Sequence, residues 1–138
     1  MDTRFFKNIY FLYVEDDEMS RKVLALILKI GMGVKDFTIF ETSADFMAQV
    51  RALPRLPDII LLDIHIHPHD GFEMLRMLRA DPVYHQSKII ALTASVTSDE
   101  IKKMQFVGFN GAIGKPVNIT EFPKQIQRIL KNEMVWQV

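Results

Sequence analysis

Short apolar runs alternate along this chain with longer segments whose apolar residues recur at helical spacing. Ile9 to Val14, Phe37 to Phe40, Ile59 to Leu62, Lys88 to Thr93 and Ala112 to Gly114 are the runs. Runs of three to six residues that are largely apolar, rather than apolar at every second position, predict strands buried on both faces. Between them, Met19 to Ile30 predicts a helix with Leu24, Ile27, Leu28 and Gly31 toward the core. Thr42 is placed to cap a second helix, Ser43 to Leu53, with Phe46, Met47 and Val50 inward. Gly71 to Arg79 predicts a third, with Phe72, Leu75 and Leu78 inward and Asp81-Pro82 as its stop. Thr97 with Glu100 offers a capping box for a fourth helix ending near Val107. A fifth starts at Asn118 or Thr120, with Pro123 in its first turn and Ile126, Ile129 and Leu130 inward. Five strands alternating with five helices imply an α/β fold, a doubly wound parallel sheet joined by right-handed crossovers.

The first helix is apolar without a gap from Val23 to Leu28, wider than a surface helix needs. Leu26 and Ile30 then fall on its outer side. Isolated apolar surface residues are common. The functional reading is a docking face for another helix.

Chemistry collects where the strands end. The first run closes on Glu15-Asp16-Asp17-Glu18, the third on Asp63, the fourth on Thr93-Ala94-Ser95 and the fifth on Lys115-Pro116. In open parallel sheets ligands bind outside the carboxyl ends of the strands. Carboxylates brought together there repel by ~4 kcal/mol at ~4 Å and an effective dielectric of ~20. Such a group wants a cation. An all-oxygen donor set suits Mg²⁺ or Mn²⁺ rather than zinc. A divalent ion, the Lys115 ammonium and the Thr93 hydroxyl around Asp63 are what a phosphoryl group needs. Asp63 would then be the nucleophile of an acyl phosphate.

Taken in order, Val14-Glu-Asp-Asp17, Asp63, Asp70-Gly71, Leu92-Thr-Ala-Ser95 and Lys115-Pro116 resemble the receiver domain of a two-component response regulator, over roughly residues 8 to 131. The resemblance implies a flavodoxin-like (βα)5 fold with strand order 2-1-3-4-5. It implies Asp63 as phosphoacceptor, Asp16 as a direct Mg²⁺ ligand, Glu15 as a ligand through water and the His65 backbone carbonyl as a third protein ligand. Thr93, Ala94 and Lys115 would receive the phosphoryl oxygens. The donor would be a phosphohistidine on a histidine kinase or phosphotransfer protein. Two positions depart from the family pattern. Ala112 stands where an aromatic often precedes the lysine by three residues. His67, followed by Pro68, stands where proline usually follows the acceptor by four.

Composition narrows the picture further. The 138 residues fit one domain, 1–138. Lys plus Arg and Asp plus Glu number 17 each, so no charge excess draws the chain to nucleic acid. There is no cysteine, which suits a cytoplasmic setting. No apolar stretch approaches the ~20 residues of a membrane span. His65, His67 and His69 alternate after the acceptor. They read as a polar loop, as a control on water access through His65, or as a transition-metal site. Outside the signalling reading stand a phosphorylation-independent interaction module and an aspartyl-phosphate phosphohydrolase. The second would want an acid where His65 lies. A nucleotide-binding module is excluded, because acids rather than glycines follow the first strand.

Overall fold

In the computed structural model, which describes residues 3–94 and 97–137, six strands form one parallel sheet among the described residues. They are β1 (Tyr10–Val14), β2 (Asp36–Phe40), β3 (Ile59–Asp63), β4 (Lys88–Thr93), β5 (Gly111–Gly114) and β6 (Val135–Gln137). Their order is β2-β1-β3-β4-β5-β6. The helices are α1 (Glu18–Leu26), α2 (Phe46–Arg51), α3 (Gly71–Arg79), α4 (Ser98–Val107) and α5 (Glu121–Leu130). The order of the first five strands is the one the sequence implies. β6 is an addition, and the packed core accordingly reaches from Phe6 to Val135, past both ends of the 8–131 span.

The central strands explain the unbroken apolar runs. Alternate residues of β3 enter different cores. Ile60 and Leu62 pack with Phe46, Val50, Met74, Leu75, Leu78 and Met104, the inner faces of α2, α3 and α4. Ile59 and Leu61 pack with Leu24, Ile27, Leu28, Phe122, Ile126 and Ile129, from the first helical segment and α5. A strand clothed on both sides has no polar face to spare.

Several local expectations are corrected. The first helix does not stay α-helical to Ile30. It becomes a wider π turn over Ile27–Gly31, and Val34 closes it by donating its amide to Leu28 O. The second helix starts at Phe46, not Ser43. Ser43 is buried, and its hydroxyl accepts the His69 amide at 2.8 Å, so this stretch braces the loop after β3 instead of coiling. Thr42 accepts only the Ala44 amide, and Asp45 enters the helix at φ 53°. On α3, Met74 takes the fully buried place expected of Phe72, which lies half-buried edge-on to Phe109. Thr97 caps α4 through the Glu100 amide. Of the two candidates for α5, Asn118 does the capping, accepting the amides of Thr120 and Glu121.

α3 opens with a full capping box between Asp70 and Glu73. Its first residue packs hard against the end of β3. A Cβ on Gly71 would lie 2.9 Å from Ile64 Cα and 3.0 Å from Asp63 O, both backbone atoms that cannot yield locally. Gly71→Ala is therefore expected to destabilise the fold by about 1–3 kcal/mol in chemical denaturation. A midpoint equal to that of the parent chain would contradict this packing.

Candidate functional site

Register fixes which residues meet. Val14 pairs with Leu62, Asp63 with Leu92, and Thr93 with Gly114. The residues at or just past these ends, Glu15, Asp16, Asp63, Thr93 and Lys115, therefore share one rim of the sheet. Carboxylate oxygens of Glu15, Asp16 and Asp63 all lie within 4.8 Å of one another. Glu15 and Asp63 are buried and Asp16 is exposed, so the cluster opens to solvent on one side.

Lys115 is the cation inside this group. Its Nζ donates to Glu15 Oε1 at 2.7 Å and lies 3.6 Å from Asp63 Oδ2. Lys115 and Thr93 are also joined by backbone, Lys115 N donating to Thr93 O at 2.9 Å. The Thr93 side chain is buried. Ala94 is exposed on the turn after it, and Ser95 lies outside the described residues. His65 is exposed at the mouth, and its amide donates to Asp63 Oδ1 at 3.2 Å.

Tyr13 belongs to this site and was not singled out from sequence. It sits two residues before Glu15, so its ring points to the same face of β1. The ring is buried, and its hydroxyl donates to Glu15 Oε1 at 2.8 Å. A phenol in an otherwise apolar strand, in step with a buried acid, was the available signal. The Asp17 amide approaches Glu15 Oε2 at 3.3 Å, so both carboxylate oxygens of Glu15 are held by protein donors.

The electrostatics follow from two buried acids and one amine. Burial pushes Asp63 up to about 7, with the Glu15 carboxylate adding to it and Lys115 and the His65 amide opposing. Burial pushes Glu15 up too. Hydrogen bonds from Asp63, Lys115 and Tyr13 outweigh that and hold it below the usual range. The shared proton therefore resides on Asp63 rather than Glu15. Burial lowers Lys115, but its bond to Glu15 and the charge of Asp63 more than compensate. The Tyr13 phenol is raised by burial and by Glu15 beside it, and stays a donor.

The donor chemistry fits a hard divalent cation. It comprises three carboxylates and no sulfur or imidazole, within one ion's reach. The histidine loop builds no second such site. Among the described residues, no other group of three potential ligands converges. His69 turns instead toward Glu73, with Nδ1 at 3.3 Å from Oε2. The transition-metal reading of His65, His67 and His69 is set aside on that ground.

A protein-family model described as the response regulator receiver domain matches residues 11–127. Hybrid signal transduction histidine kinase D of Dictyostelium discoideum is 33% identical over 130 residues, covering 90% of this chain but 8% of the kinase. The chain likewise spans half or less of two further curated relatives. The chemotaxis response regulator CheY4 of Vibrio cholerae superposes with a TM-score of 0.77 at 21% identity, covering 88% of this chain and 98% of that one. The receiver domain of a Pseudomonas aeruginosa sensor histidine kinase, with a magnesium ion coordinated in its active site cleft, gives 0.72 at 26% identity, covering 89% and 94%. Among the described residues, no helix is long and apolar enough to cross a membrane.

The raised Asp63 carboxyl has a thermodynamic consequence. An unfolded aspartate titrates near 3.9, and the folded metal-free chain binds this proton more tightly. The group's effect on stability is therefore most favourable below pH ~4 and is lost as pH rises toward ~7. Asp63→Asn removes that liability. In chelator at neutral pH, D63N is expected to be more stable than the parent by about 1–4 kcal/mol, with the gap closing below pH ~4. Urea titrations at several pH values measure it, and a pH-independent gap would contradict the assignment.

Proposed function

The chain belongs to the response regulator receiver domain family, and on that footing we propose that it is a phosphorylation switch with Asp63 as the phosphoacceptor. The observation that carries this reading is the convergence of Glu15, Asp16, Asp63 and Lys115 at one rim. Asp63 is the one acid of the three directly bonded to the loop amide of His65, which fixes one oxygen and leaves Oδ2 toward Lys115. Asp63 Oδ2 attacks the phosphorus of a phosphohistidine. The P–N bond breaks, its electron pair returns to the imidazole, and an acyl phosphate remains on Asp63. Water later cleaves the acyl phosphate to carboxylate and inorganic phosphate. Such a protein is a switch whose only chemistry is its own gain and loss of phosphate.

Glu15, Asp16 and Asp63, with the His65 carbonyl, would hold Mg²⁺ or Mn²⁺. When bound, the ion supplies positive charge that offsets the negative charge gathering on the transferring group. Lys115 supplies the second positive charge. To do so it must leave Glu15 Oε1 for a phosphoryl oxygen, and Tyr13 remains on Glu15 as its donor when it goes. The Thr93 hydroxyl binds another phosphoryl oxygen, with the turn at Ala94 making room. Phosphate adds about −1.5 to −2 charge and three acceptors, enough to draw both groups inward.

The donor protein is proposed to dock on α1. Met19, Val23, Leu26 and Ile30 recur at helical spacing along the first helical segment, and Leu26 and Ile30 are 62% and 78% exposed. At its N-terminal end the stripe meets a cavity of about 140 Å³ lined by Tyr13, Met19, Val23, Lys115 and Pro116, beside the acid cluster. A helix laid on this stripe could carry a phosphohistidine to Asp63.

The direct test is acetyl phosphate or phosphoramidate with Mg²⁺, read by intact mass. One phosphate is expected on the parent chain and none on Asp63→Asn; labelling of D63N would sink the assignment. The docking face has its own check. Leu26→Ala with Ile30→Ala is expected to slow transfer from the phosphohistidine donor protein about tenfold or more. Small-molecule labelling should stay unchanged, and equal loss of both rates would point to misfolding rather than docking.

A further inference from the structure

β6 sits on the sheet through the smallness of its neighbours. It pairs with β5 as Gly111↔Val135, Ala112↔Trp136 and Ile113↔Gln137. A Cβ at Gly111 would stand 2.7 Å from Val135 O, so the strand can approach only because residue 111 has no side chain. Val135 is 1% exposed and joins the core with Ile113, Phe122 and Ile129. Trp136, on the other face, packs half-buried against the cluster holding Ala112, Met104 and Phe109. A large residue at 112 would contend with the indole for that space. The strand is three residues long, at the sheet edge, with one fully buried side chain among its described ones. Such an element opens far more readily than the sheet as a whole.

The strand that carries β6 also carries the switch residues. One edge of β5 pairs with β4, setting Gly114 beside Thr93. Its end runs directly into Lys115, whose amide is bonded to Thr93 O. We propose that β6 is a built-in, displaceable occupant of the β5 edge, released when Asp63 is phosphorylated. This rests on the receiver reading above. The phosphoryl group draws Lys115 Nζ off Glu15 Oε1 and draws Thr93 toward residue 63. Because Thr93 and Lys115 are tied through backbone, the C-terminal end of β5 follows them inward, away from β6. Pairing at Ile113↔Gln137 fails first, Trp136 leaves Ala112, and the backbone of β5 is bared.

Trp136 is the only tryptophan in the sequence, so its emission reports this site alone. The full chain is treated with beryllofluoride and Mg²⁺, and adduct formation is measured by ¹⁹F NMR. Amide hydrogen exchange over residues 134–137 is expected to quicken about fivefold or more, with a red shift in Trp136 emission. Full adduct with unchanged exchange and emission overturns the proposal. Absence of any adduct would instead overturn the phosphoacceptor reading of Asp63, and this inference with it. Linkage supplies a second arm. If the adduct releases β6, loosening β6 favours the adduct. Gly111→Ala and the milder Trp136→Ala are expected to bind beryllofluoride about fivefold or more tightly. Unchanged or weaker binding in the folded variants counts against the proposal, and W136A alone suffices should G111A not fold.

Discussion

A single ammonium holds two buried carboxylates at the rim of the sheet. Lys115 lies 2.7 Å from Glu15 and 3.6 Å from Asp63, and among the described residues no other side-chain cation pairs with either carboxyl group. Burying charge is unfavourable unless it is matched, and here two potential negative charges face one positive one. The mismatch appears as a proton retained on Asp63 and as Glu15 gathering donors, Tyr13 and Lys115 on one oxygen and the Asp17 amide near the other. A divalent cation beside the carboxylates would relieve it. The pairing of β1, β3, β4 and β5 keeps these groups in register at the rim.

Much of this was legible in the amino-acid order. The unbroken runs at Ile59–Leu62 and Ile89–Leu92 announce strands covered on both sides, because every position in them is apolar and buried. Polar residues that stop such runs must emerge at one rim in a parallel sheet, which is why Glu15, Asp63, Thr93 and Lys115 could be grouped before any geometry was known. What the order concealed was pairwise. Nothing local says that Ser43 is needed by the His69 amide, yet that contact delays α2 to Phe46. Tyr13 looked like one more strand aromatic, since its partner, Glu15, had already been read as a ligand. β6 was hidden because three residues are too few to show a period, and its seat depends on a glycine and an alanine far back in the chain.

Ala112 acquires its meaning from that pairing. Read alone, an alanine where relatives often carry an aromatic looks like a missing part. In the folded chain an indole lies directly across from it on the next strand, on the α4 side of the sheet. The indole covers this place from the neighbouring strand, and the small residue is what admits it.

The contact of Gly71 with the Asp63 carbonyl divides the molecule into unequal halves. With backbone against backbone there, α3 has little room to slide along β3. The start of α3 is therefore tied tightly to the end of β3. A spectroscopic label on the exposed side of α3 would therefore report on the end of β3 as well as on its own helix.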